Sequence, residues 1–243
     1  MSEKTGISWT NHTQNFWKGC AKVSPGCKNC YMFREMYRYG LNPEEITRTK
    51  TWRNPRRWNT EAEAEKKPRL VFTCSWSDFF IEEADPWRDE AWGIIKRTPW
   101  LQWQILTKRI KRVKNHLPED WGDKGYPNVW LGVSIESATY NWRADVLRDI
   151  PAHTRFISAE PLLASLEGLN LKDIHWLIAG GESGPDFRSM DLDWVRELRD
   201  MCNKAHTAFY YKQESGVLPA KTPPRLDGRT WEEYPEIWTP MAA

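Results

Sequence analysis

The segment "NVWLGVSIESATYNWRADVLRDIPAHTRFISAE" (residues 128–160) contains the pattern that decides the fold. Residues 128–136 and 154–160 are nearly continuous runs of apolar and β-branched side chains, as expected for strands buried on both faces. Residues 137–149 lie between these runs and have the character of a helix. A strand, a helix and a second strand in succession predict two parallel strands joined by a right-handed crossover.

The same alternation continues on both sides of this segment. Additional strands are predicted at 6–10, 69–76, 103–109, 175–183 and 208–213. Additional helices are predicted at about 86–97, 109–116 and 191–205, the last with Asp191 as its N-terminal cap. Six to seven units of this kind predict an α/β protein with a partial or complete β/α barrel. A flat doubly wound sheet is the alternative, because strand order cannot be read from these patterns.

Composition adds expectations about organisation and location. With 243 residues, 40% of them hydrophobic, and no long apolar run, we expect one substantial core and no membrane-spanning helix. Residues 1–4 are polar and no apolar stretch follows, so we expect no secretory signal and a cytoplasmic protein with reduced thiols. We also expect a monomer. We expect a barrel domain at 1–213 with a charged, exposed excursion at 53–68 that contains a short helix, and a proline-rich arm at 214–243 packed on the barrel.

Polar residues follow almost every predicted strand. In β/α barrels and open α/β sheets the active site forms at the carboxyl ends of the strands, because the following loops converge there. We therefore expect an active site at that end, the alternative being a set of helix caps and surface ion pairs. The residues concerned are Ser75, Ser77, Asp78, Lys108, Arg109, Ser134, Glu136, Ser158, Glu160, Gly180, Gly181, Glu182, Ser183, Lys212 and Gln213.

The segment "GCAKVSPGCKNCYMF" (residues 19–33) contains Cys20, Cys27 and Cys30 in the spacing C-x6-C-x2-C. It follows the first predicted strand, so the cysteines should lie at the same end of the sheet. Three thiolates that leave one coordination position open suit a [4Fe–4S] cluster. Two alternatives are a zinc ion bound by three cysteines and a histidine such as His12, and three unrelated buried cysteines.

The remaining cysteines and nine of the sixteen tryptophans fall into two groups. Core positions are predicted for Cys74, Cys202, Trp100, Trp103, Trp130 and Trp176. The tryptophans near the cysteines and the charged excursion could stack on nucleic-acid bases or shield a cluster from water; they are Trp9, Trp17, Trp52, Trp58 and Trp76.

Basic residues concentrate at 50–58 and 108–114, although the net charge is only +2. In the first segment we expect Arg53, Arg56 and Arg57 to contact phosphates, and Trp52 or Trp58 to stack on a base. The second segment has helical spacing and is equally consistent with a solvated helix face.

Seven motifs occur in a fixed order along the chain: "GC-x-KVSPGC-x-NCY", "S-x-SD-x-F", "ILTKR", "LGVSIE", "SAEPLL", "IAGGESG" and "YKQ". In these motifs the chain resembles a family of uncharacterised phage and bacterial proteins that are regarded as radical-SAM-like. Its cysteine segment resembles that of the radical S-adenosylmethionine superfamily, in a variant with C-x6-C-x2-C spacing and with Tyr31 after the last cysteine.

The resemblance implies an iron–sulfur enzyme that generates a 5′-deoxyadenosyl radical from S-adenosylmethionine with an electron from an external reductant. It implies that Cys20, Cys27 and Cys30 each bind one iron of a [4Fe–4S] cluster and that S-adenosylmethionine binds the fourth. The cofactor-binding residues that it implies are Ser75, Ser77, Asp78, Ser134, Glu136, Gly180, Gly181 and Glu182.

Lys108, Glu160 and Lys212 remain as candidates for catalysis on the substrate. The resemblance implies a nucleic-acid base, a modified nucleotide or a nucleotide-derived compound as substrate, as in phage-type DNA modification. An isomerase, a lyase and a transferase outcome all stay open. The alternative from a different class is a zinc-stabilised nucleic-acid-binding protein without catalysis.

Overall fold

Seven parallel strands form the main sheet of the computed structural model, which describes residues 5–218 and 222–240. In spatial order they are β1 (His12–Gln14), β4 (Arg69–Thr73), β5 (Leu101–Thr107), β6 (Val129–Ser134), β7 (Thr154–Ala159), β8 (Trp176–Gly180) and β9 (Ala208–Gln213). A separate antiparallel pair consists of β2 (Trp17–Lys18) and β3 (Thr47–Arg48). Each strand of the main sheet pairs with the next one along the chain, and the sheet curls into a half-barrel. The predicted partial β/α barrel is therefore confirmed.

Helices cover one face of this sheet, which we call the outer face. They are α2 (Asn54–Ala64), α3 (Asp85–Lys96), α4 (Ile110–Val113), α5 (Trp142–Arg148) and α6 (Leu192–Ala205). The first helix, α1 (Tyr31–Arg38), instead packs beside Cys20, Cys30 and Trp76. The predicted cap of the last helix is present, because the Asp191 side chain accepts a hydrogen bond from the Asp193 N–H at 2.9 Å. This helix ends at His206, whose left-handed backbone conformation stops further helical turns.

Alternating strand residues divide the sheet between two cores, since successive side chains point to opposite faces. On the outer face, residues such as Trp103, Leu131 and Leu177 belong to the core that includes the helix residues Trp92 and Val195. The opposite, inner face holds a smaller and mainly aromatic core: Trp9, Leu70, Phe72, Trp130, Phe156, Trp176, Ile178 and Tyr210. The half-barrel is therefore filled with side chains below its carboxyl-terminal edge.

Close packing on the inner face explains a glycine in the middle of β6. A β-carbon at Gly132 would lie 2.4 Å from the ring of Phe156, so no larger residue fits this position. The chain after β9 closes the same core from outside. The Tyr234 ring stacks on Trp176 with centroids 5.2 Å apart, and the Gln102 side chain donates a hydrogen bond to the Trp238 carbonyl at 3.0 Å.

Two expectations about local structure are wrong. The first strand is at 12–14 and not at 6–10, because Thr10 and Asn11 bond to β4 through their side chains: the Phe72 N–H donates to Thr10 Oγ1 and the Leu70 N–H to Asn11 Oδ1. The segment 53–68 does contain the expected short helix, α2, and most of its residues are exposed, but it is not a free excursion, because α2 packs on β4 and β5 and buries Trp58 and Ala62.

Some expectations concern residues that the structure does not describe. Residues 1–4 belong to the polar N-terminal segment, and residues 219–221 and 241–243 belong to the predicted C-terminal arm; all of them lie outside the described residues. Within 5–218 and 222–240, no helix combines the length and the apolar character that crossing a bilayer requires.

Candidate functional site

The carboxyl-terminal edge of the main sheet, which we call the mouth, collects the polar residues that follow the strands. Parallel strands in sequential order place the ends of β4 to β9 along one edge. The residues predicted for the site therefore lie at or just beyond this edge, from Ser75 after β4 to Lys212 near the end of β9. What the sequence could not indicate is which of these residues contact the cysteines.

Residues 19–30, which we call the cysteine loop, begin at a position that only glycine can occupy. Gly19 has φ +94°, and a β-carbon there would lie 2.4 Å from the carbonyl oxygen of Glu45. A short 3-10 turn at Pro25–Cys27 follows, and its Cys27 N–H donates to the Ser24 carbonyl at 2.9 Å. The loop then leads directly into α1, so all three cysteines lie within one tightly turned segment.

The first half of the cysteine loop is bound to the ends of β4 and β5. The Gly19 N–H donates to the Trp76 carbonyl at 3.0 Å, and the Ser77 hydroxyl donates to the Gly19 carbonyl at 2.5 Å. Arg109 donates to the Ala21 carbonyl at 2.9 Å, and its Nη1 lies 3.8 Å from the Cys20 sulfur. These contacts hold Cys20 beside a cationic side chain at the mouth.

The second half of the cysteine loop reaches the ends of β6 and β8. The Gly26 N–H lies 3.4 Å from Glu136 Oε1, and the Asn29 side chain donates to Glu182 Oε2 at 3.0 Å. Arg188 pairs with Glu182 and also donates to the Pro25 carbonyl at 3.1 Å. The loop therefore crosses the mouth from β4 to β8.

The two carboxylates that receive the loop differ in their surroundings. Glu136 is buried and is paired with the buried guanidinium of Arg143, whose Nη1 lies 2.9 Å from Glu136 Oε2. For Glu182, partial burial acts to raise the pKa, but hydrogen bonds from Arg188 and Asn29 outweigh it and lower the pKa below the ordinary glutamate value. Glu182 is therefore a carboxylate at neutral pH, and its negative charge strengthens the hydrogen bonds from Asn29 and Arg188 that attach the loop.

Asp78 connects the loop after β4 to the end of β5. One of its carboxylate oxygens accepts from the Thr107 hydroxyl at 2.7 Å and the Phe80 N–H at 2.9 Å. The other accepts from the Lys108 N–H at 2.9 Å and lies 3.3 Å from Arg109 Nη1. Asp78 thus orients the arginine that contacts the cysteine loop, and its predicted role in cofactor binding stays a prediction.

A second polar group lies at the mouth on β7 and β9. Lys212 Nζ is 2.7 Å from Glu160 Oε1, and the Ser158 hydroxyl donates to Glu160 Oε2 at 3.1 Å. The missing side chain of Gly180 makes room for Glu160, since a β-carbon there would lie 2.9 Å from Glu160 Oε1. The structure thus joins two of the three predicted catalytic candidates in one ion pair.

Gly181, Ser134 and Ser75, which were predicted to bind the cofactor, also contact other groups of the protein. A β-carbon at Gly181 would lie 2.2 Å from the Ser215 nitrogen, so the chain after β9 approaches the β8 loop too closely for a side chain. The Gln213 side chain donates to the Gly181 carbonyl at 2.8 Å, and the Ser134 carbonyl accepts from Arg143 at 2.7 Å. Ser75 accepts from the Asn15 side chain at 3.1 Å.

Burial and nearby cations act in opposite directions on the pKa of the thiols in the cysteine loop. The five cysteines are free thiols; those of the cysteine loop are partly exposed. Burial raises the pKa of Cys20 to about 12, with a further contribution from Asp78, and Arg109 acts in the opposite direction. Burial also raises the pKa of Cys30, and Lys108 opposes that shift. Burial therefore favours the neutral thiol at both positions, and Arg109 and Lys108 are nearby charges that oppose this effect and favour a thiolate.

Apolar side chains of α1 form one wall beside this donor set. Met32, Phe33 and Met36 make a small cluster against which Cys20, Cys30 and Trp76 pack. Tyr31, which directly precedes Met32, donates a hydrogen bond from its hydroxyl to the Ser75 carbonyl at 2.7 Å. The cysteines thus have an apolar wall on one side and basic residues of β5 near them, a setting that limits water access to a bound group.

His12 does not join the cysteines in a zinc set. Its ring stacks on Trp58 of α2, with centroids 4.3 Å apart and planes within 4°. Among residues 5–218 and 222–240, no three or more His, Cys, Asp or Glu side chains are grouped to hold a metal ion. A [4Fe–4S] cluster takes one thiolate for each of three irons, so its cysteine ligands are spread over the cluster and need not converge on one ion.

The structure corrects the expectation for the aromatic residues near the basic segment. Trp52 and Trp58 are only 8% and 4% exposed, so neither can stack on a nucleic-acid base. Trp9 and Trp17 are buried as well. Trp76 is partly exposed and packs beside the cysteines, which agrees with the shielding alternative.

Several residues that hold the site were not singled out from the sequence. Asn29, Arg143 and Arg188 attach the cysteine loop or its carboxylate partners, as described above. Asn29 lies inside the C-x2-C motif, and its position there was a usable signal. Arg143 and Arg188 lie within ordinary polar stretches after strands, and only their tertiary contacts identify them.

One family model matches most of the chain. The family described as "Protein of unknown function (DUF5131)" matches residues 4–235, which include the cysteine loop and every strand end of the mouth. No curated protein and no solved structure matches the chain. The match covers far more than half of the sequence, and the chain therefore belongs to the DUF5131 family.

Proposed function

We propose that the protein is a radical S-adenosylmethionine enzyme whose [4Fe–4S] cluster is bound by Cys20, Cys27 and Cys30. One observation carries the proposal: three partly exposed thiols lie on a loop that crosses the mouth of a half-barrel and is bonded to strand ends from β4 to β8. Active sites of β/α barrels form at this edge. The resemblance of the seven motifs to radical-SAM-like proteins supports the same assignment.

When bound, the [4Fe–4S] cluster would supply one-electron chemistry: an electron from an external reductant would cleave S-adenosylmethionine to methionine and a 5′-deoxyadenosyl radical, which would abstract hydrogen from the substrate. The residues of this chain bind and orient. Arg109 and Lys108 stabilise negative charge at the thiolates, and Asp78 fixes the direction of Arg109. Met32 and Phe33 exclude water from one side of the site.

Residues of the mouth that do not bind the loop are assigned to S-adenosylmethionine and to the substrate. Ser75, whose hydroxyl contacts Asn15 and not the loop, lies next to the Cys20 side of the loop, where the amine of the methionyl group would be bound. Ser77 is not assigned to the cofactor, because its hydroxyl donates to the Gly19 carbonyl of the loop. Glu160 and Lys212 form a partly buried ion pair that offers a base and an acid to a polar substrate. A nucleotide or nucleic-acid base is the substrate class that we propose, with the protein acting in the cytoplasm, where thiols stay reduced.

The iron content of the protein tests this proposal. After anaerobic purification or reconstitution, we expect about four iron atoms and four sulfides per chain, and a brown colour. Alanine in place of Cys20, Cys27 or Cys30 should remove the cluster. The matched control is Cys202→Ala, since Cys202 lies on the buried face of α6, and its replacement should leave the iron content unchanged.

The second measurement is formation of 5′-deoxyadenosine. Reduced protein given S-adenosylmethionine should release it slowly, and the three cysteine variants should not. Stoichiometric zinc without iron would instead favour a zinc-stabilised binding protein and would contradict the proposal. Iron that persists in all three cysteine variants would also contradict it.

A further inference from the structure

The surface of α1 combines exposed aromatic rings with basic side chains directly after the cysteine loop. Tyr37 and Tyr39 are 63% and 65% exposed. Met32, Phe33 and Met36 face the protein, which leaves the opposite side of the helix to solvent. We define the α1 surface as Lys22, Lys28, Arg34, Tyr37, Arg38 and Tyr39, all of which are exposed.

Contacts place the basic residues of this surface beside α1 and the cysteine loop. Lys22 Nζ lies 4.8 Å from the centroid of the Phe33 ring and donates to the Lys28 carbonyl at 3.1 Å, so the two lysines lie beside α1. Glu35 is the one acidic residue between them, 3.6 Å from Arg34 and 3.8 Å from Arg38. Its single charge leaves most of the positive charge available.

Charge distinguishes this surface from the other basic segment. Residues 19–41 contain four basic residues and one acidic residue, a net charge of +3. Residues 50–65 contain four basic residues and three acidic ones, a net charge of +1, and Arg57 lies 3.9 Å from Glu61. The aromatic residues differ in the same sense, because Trp52 and Trp58 are buried whereas Tyr37 and Tyr39 are exposed.

We propose that the α1 surface binds a single-stranded segment of nucleic acid, with bases stacked on Tyr37 and Tyr39 and phosphates near the basic residues. Exposed aromatic rings with nearby cations are the features by which proteins bind single strands, whereas in a duplex the base faces are already stacked. Tyr37 lies six residues after Tyr31, about 9 Å along the helix axis, so a strand bound here lies next to the mouth.

The delivery of a nucleotide from this strand to the mouth rests on the proposed function, but the binding itself does not. Strand binding is measured with the purified full-length protein by fluorescence anisotropy, using labelled DNA and RNA oligonucleotides of about 20 nucleotides over a range of salt concentrations. Contacts of four basic residues with phosphates predict that log K falls with log[salt] with a slope of about −3 for single strands.

Matched variants separate stacking from charge. Tyr37→Ala combined with Tyr39→Ala should weaken binding at least about tenfold with little change in the salt slope, and Phe at both positions should preserve it. Arg34→Gln combined with Arg38→Gln should reduce the steepness of the slope by about 1.4. The triple replacement of Arg53, Arg56 and Arg57 by Gln should leave binding unchanged, because these residues lie outside the α1 surface.

Iron content and 5′-deoxyadenosine formation, measured on the same preparations, keep the two proposals distinct. A protein that carries iron and cleaves S-adenosylmethionine but shows no salt-dependent strand binding overturns this inference and leaves the proposed function standing. Binding that is lost in the Arg53, Arg56 and Arg57 variant and kept in the tyrosine variant also overturns it. Preference for duplex over single strand does the same.

Discussion

Cysteines and aromatic residues occur in two regions of the molecule. Near the mouth and on α1 several of them are exposed to solvent, whereas between the sheet and the outer-face helices they are buried. Cys20, Cys27 and Cys30 are partly exposed, whereas Cys74 and Cys202 are buried in the outer core. For Cys74, burial raises the pKa to about 12, and no cation is among the groups that shift it. Thiols at the mouth have Lys108 and Arg109 beside them, so reactivity toward metal should be confined to that region.

The aromatic residues of the two regions show the same contrast. Trp58 is packed between α2 and the sheet, and the Trp52 ring is covered by the Arg48 guanidinium at 4.0 Å. Tyr37 and Tyr39 of α1 have no comparable cover and remain exposed. Composition alone cannot separate a binding surface from a core, because the same residue types build both; orientation relative to the sheet separates them.

Replacement of a large outer-core side chain should have the largest effect on stability. Trp103 is fully buried, and Trp103→Ala should lower the free energy of unfolding by about 4 kcal/mol, through lost apolar burial and the cavity that remains. Tyr37→Ala, its matched control at the exposed α1 surface, should change the free energy of unfolding by less than about 0.5 kcal/mol. Urea denaturation followed by tryptophan fluorescence measures both. Similar losses would show that α1 is packed more tightly than its exposure indicates.

Within the mouth, the buried ion pair should matter more than the half-exposed one. Glu136 and Arg143 are 1% and 2% exposed, so Glu136→Ala leaves a buried guanidinium unpaired and should cost about 3 kcal/mol of unfolding free energy. Glu182→Ala should cost only about 1 kcal/mol, since the side chain of Arg188 is 30% exposed and water can solvate it.

Glu136, Glu182 and Asp78 are not proposed as iron ligands, so alanine variants at each of the three positions should retain about four iron atoms per chain. Glu136→Ala and Asp78→Ala should nevertheless weaken binding of S-adenosylmethionine, which equilibrium dialysis of the reconstituted protein measures. Loss of iron in these variants would show that they hold the cysteine loop in place more strongly than they contact the cofactor.

The smallest effect should come from a charge cluster on the outer face. Partial burial acts to raise the pKa of Asp85, but hydrogen bonds and charges of Arg88 and Arg112 outweigh it and lower the pKa. His116 Nε2 also lies 3.3 Å from this carboxylate. Because the pKa is lower in the folded state, the stabilisation is complete above the unfolded-state value of about 3.9 and is lost as pH falls through the folded-state pKa.

Asp85→Asn should therefore lower stability at pH 7 by less than about 1 kcal/mol, with the difference from wild type shrinking as the pH falls below about 4. Denaturation midpoints at several pH values give this difference directly. A difference that grew toward low pH would mean that the carboxylate is destabilising when charged.

The strands and α2 show how much of the fold can be predicted from the sequence. Six of the seven strands of the main sheet were predicted at or near their observed positions, because buried parallel strands are long apolar runs. β1 was misplaced because it is only three residues long and is defined by pairing with β4. The packing of α2 on the sheet was not predicted, because Trp58 and Ala62 are only two apolar residues in a charged segment, and their burial depends on the sheet beside them.

The sequence by itself determined the alternation of parallel strands and helices, the position of the polar residues at strand ends and the grouping of three cysteines in one loop. Periodicity and spacing are local properties, and they are sufficient for these features. The tertiary structure decided which strand ends bind the cysteine loop, that Glu160 pairs with Lys212, and that Tyr37 is exposed whereas Trp58 is buried. Such contacts join residues far apart along the chain, and their partners are selected by the curvature and packing of the sheet, which no local pattern records.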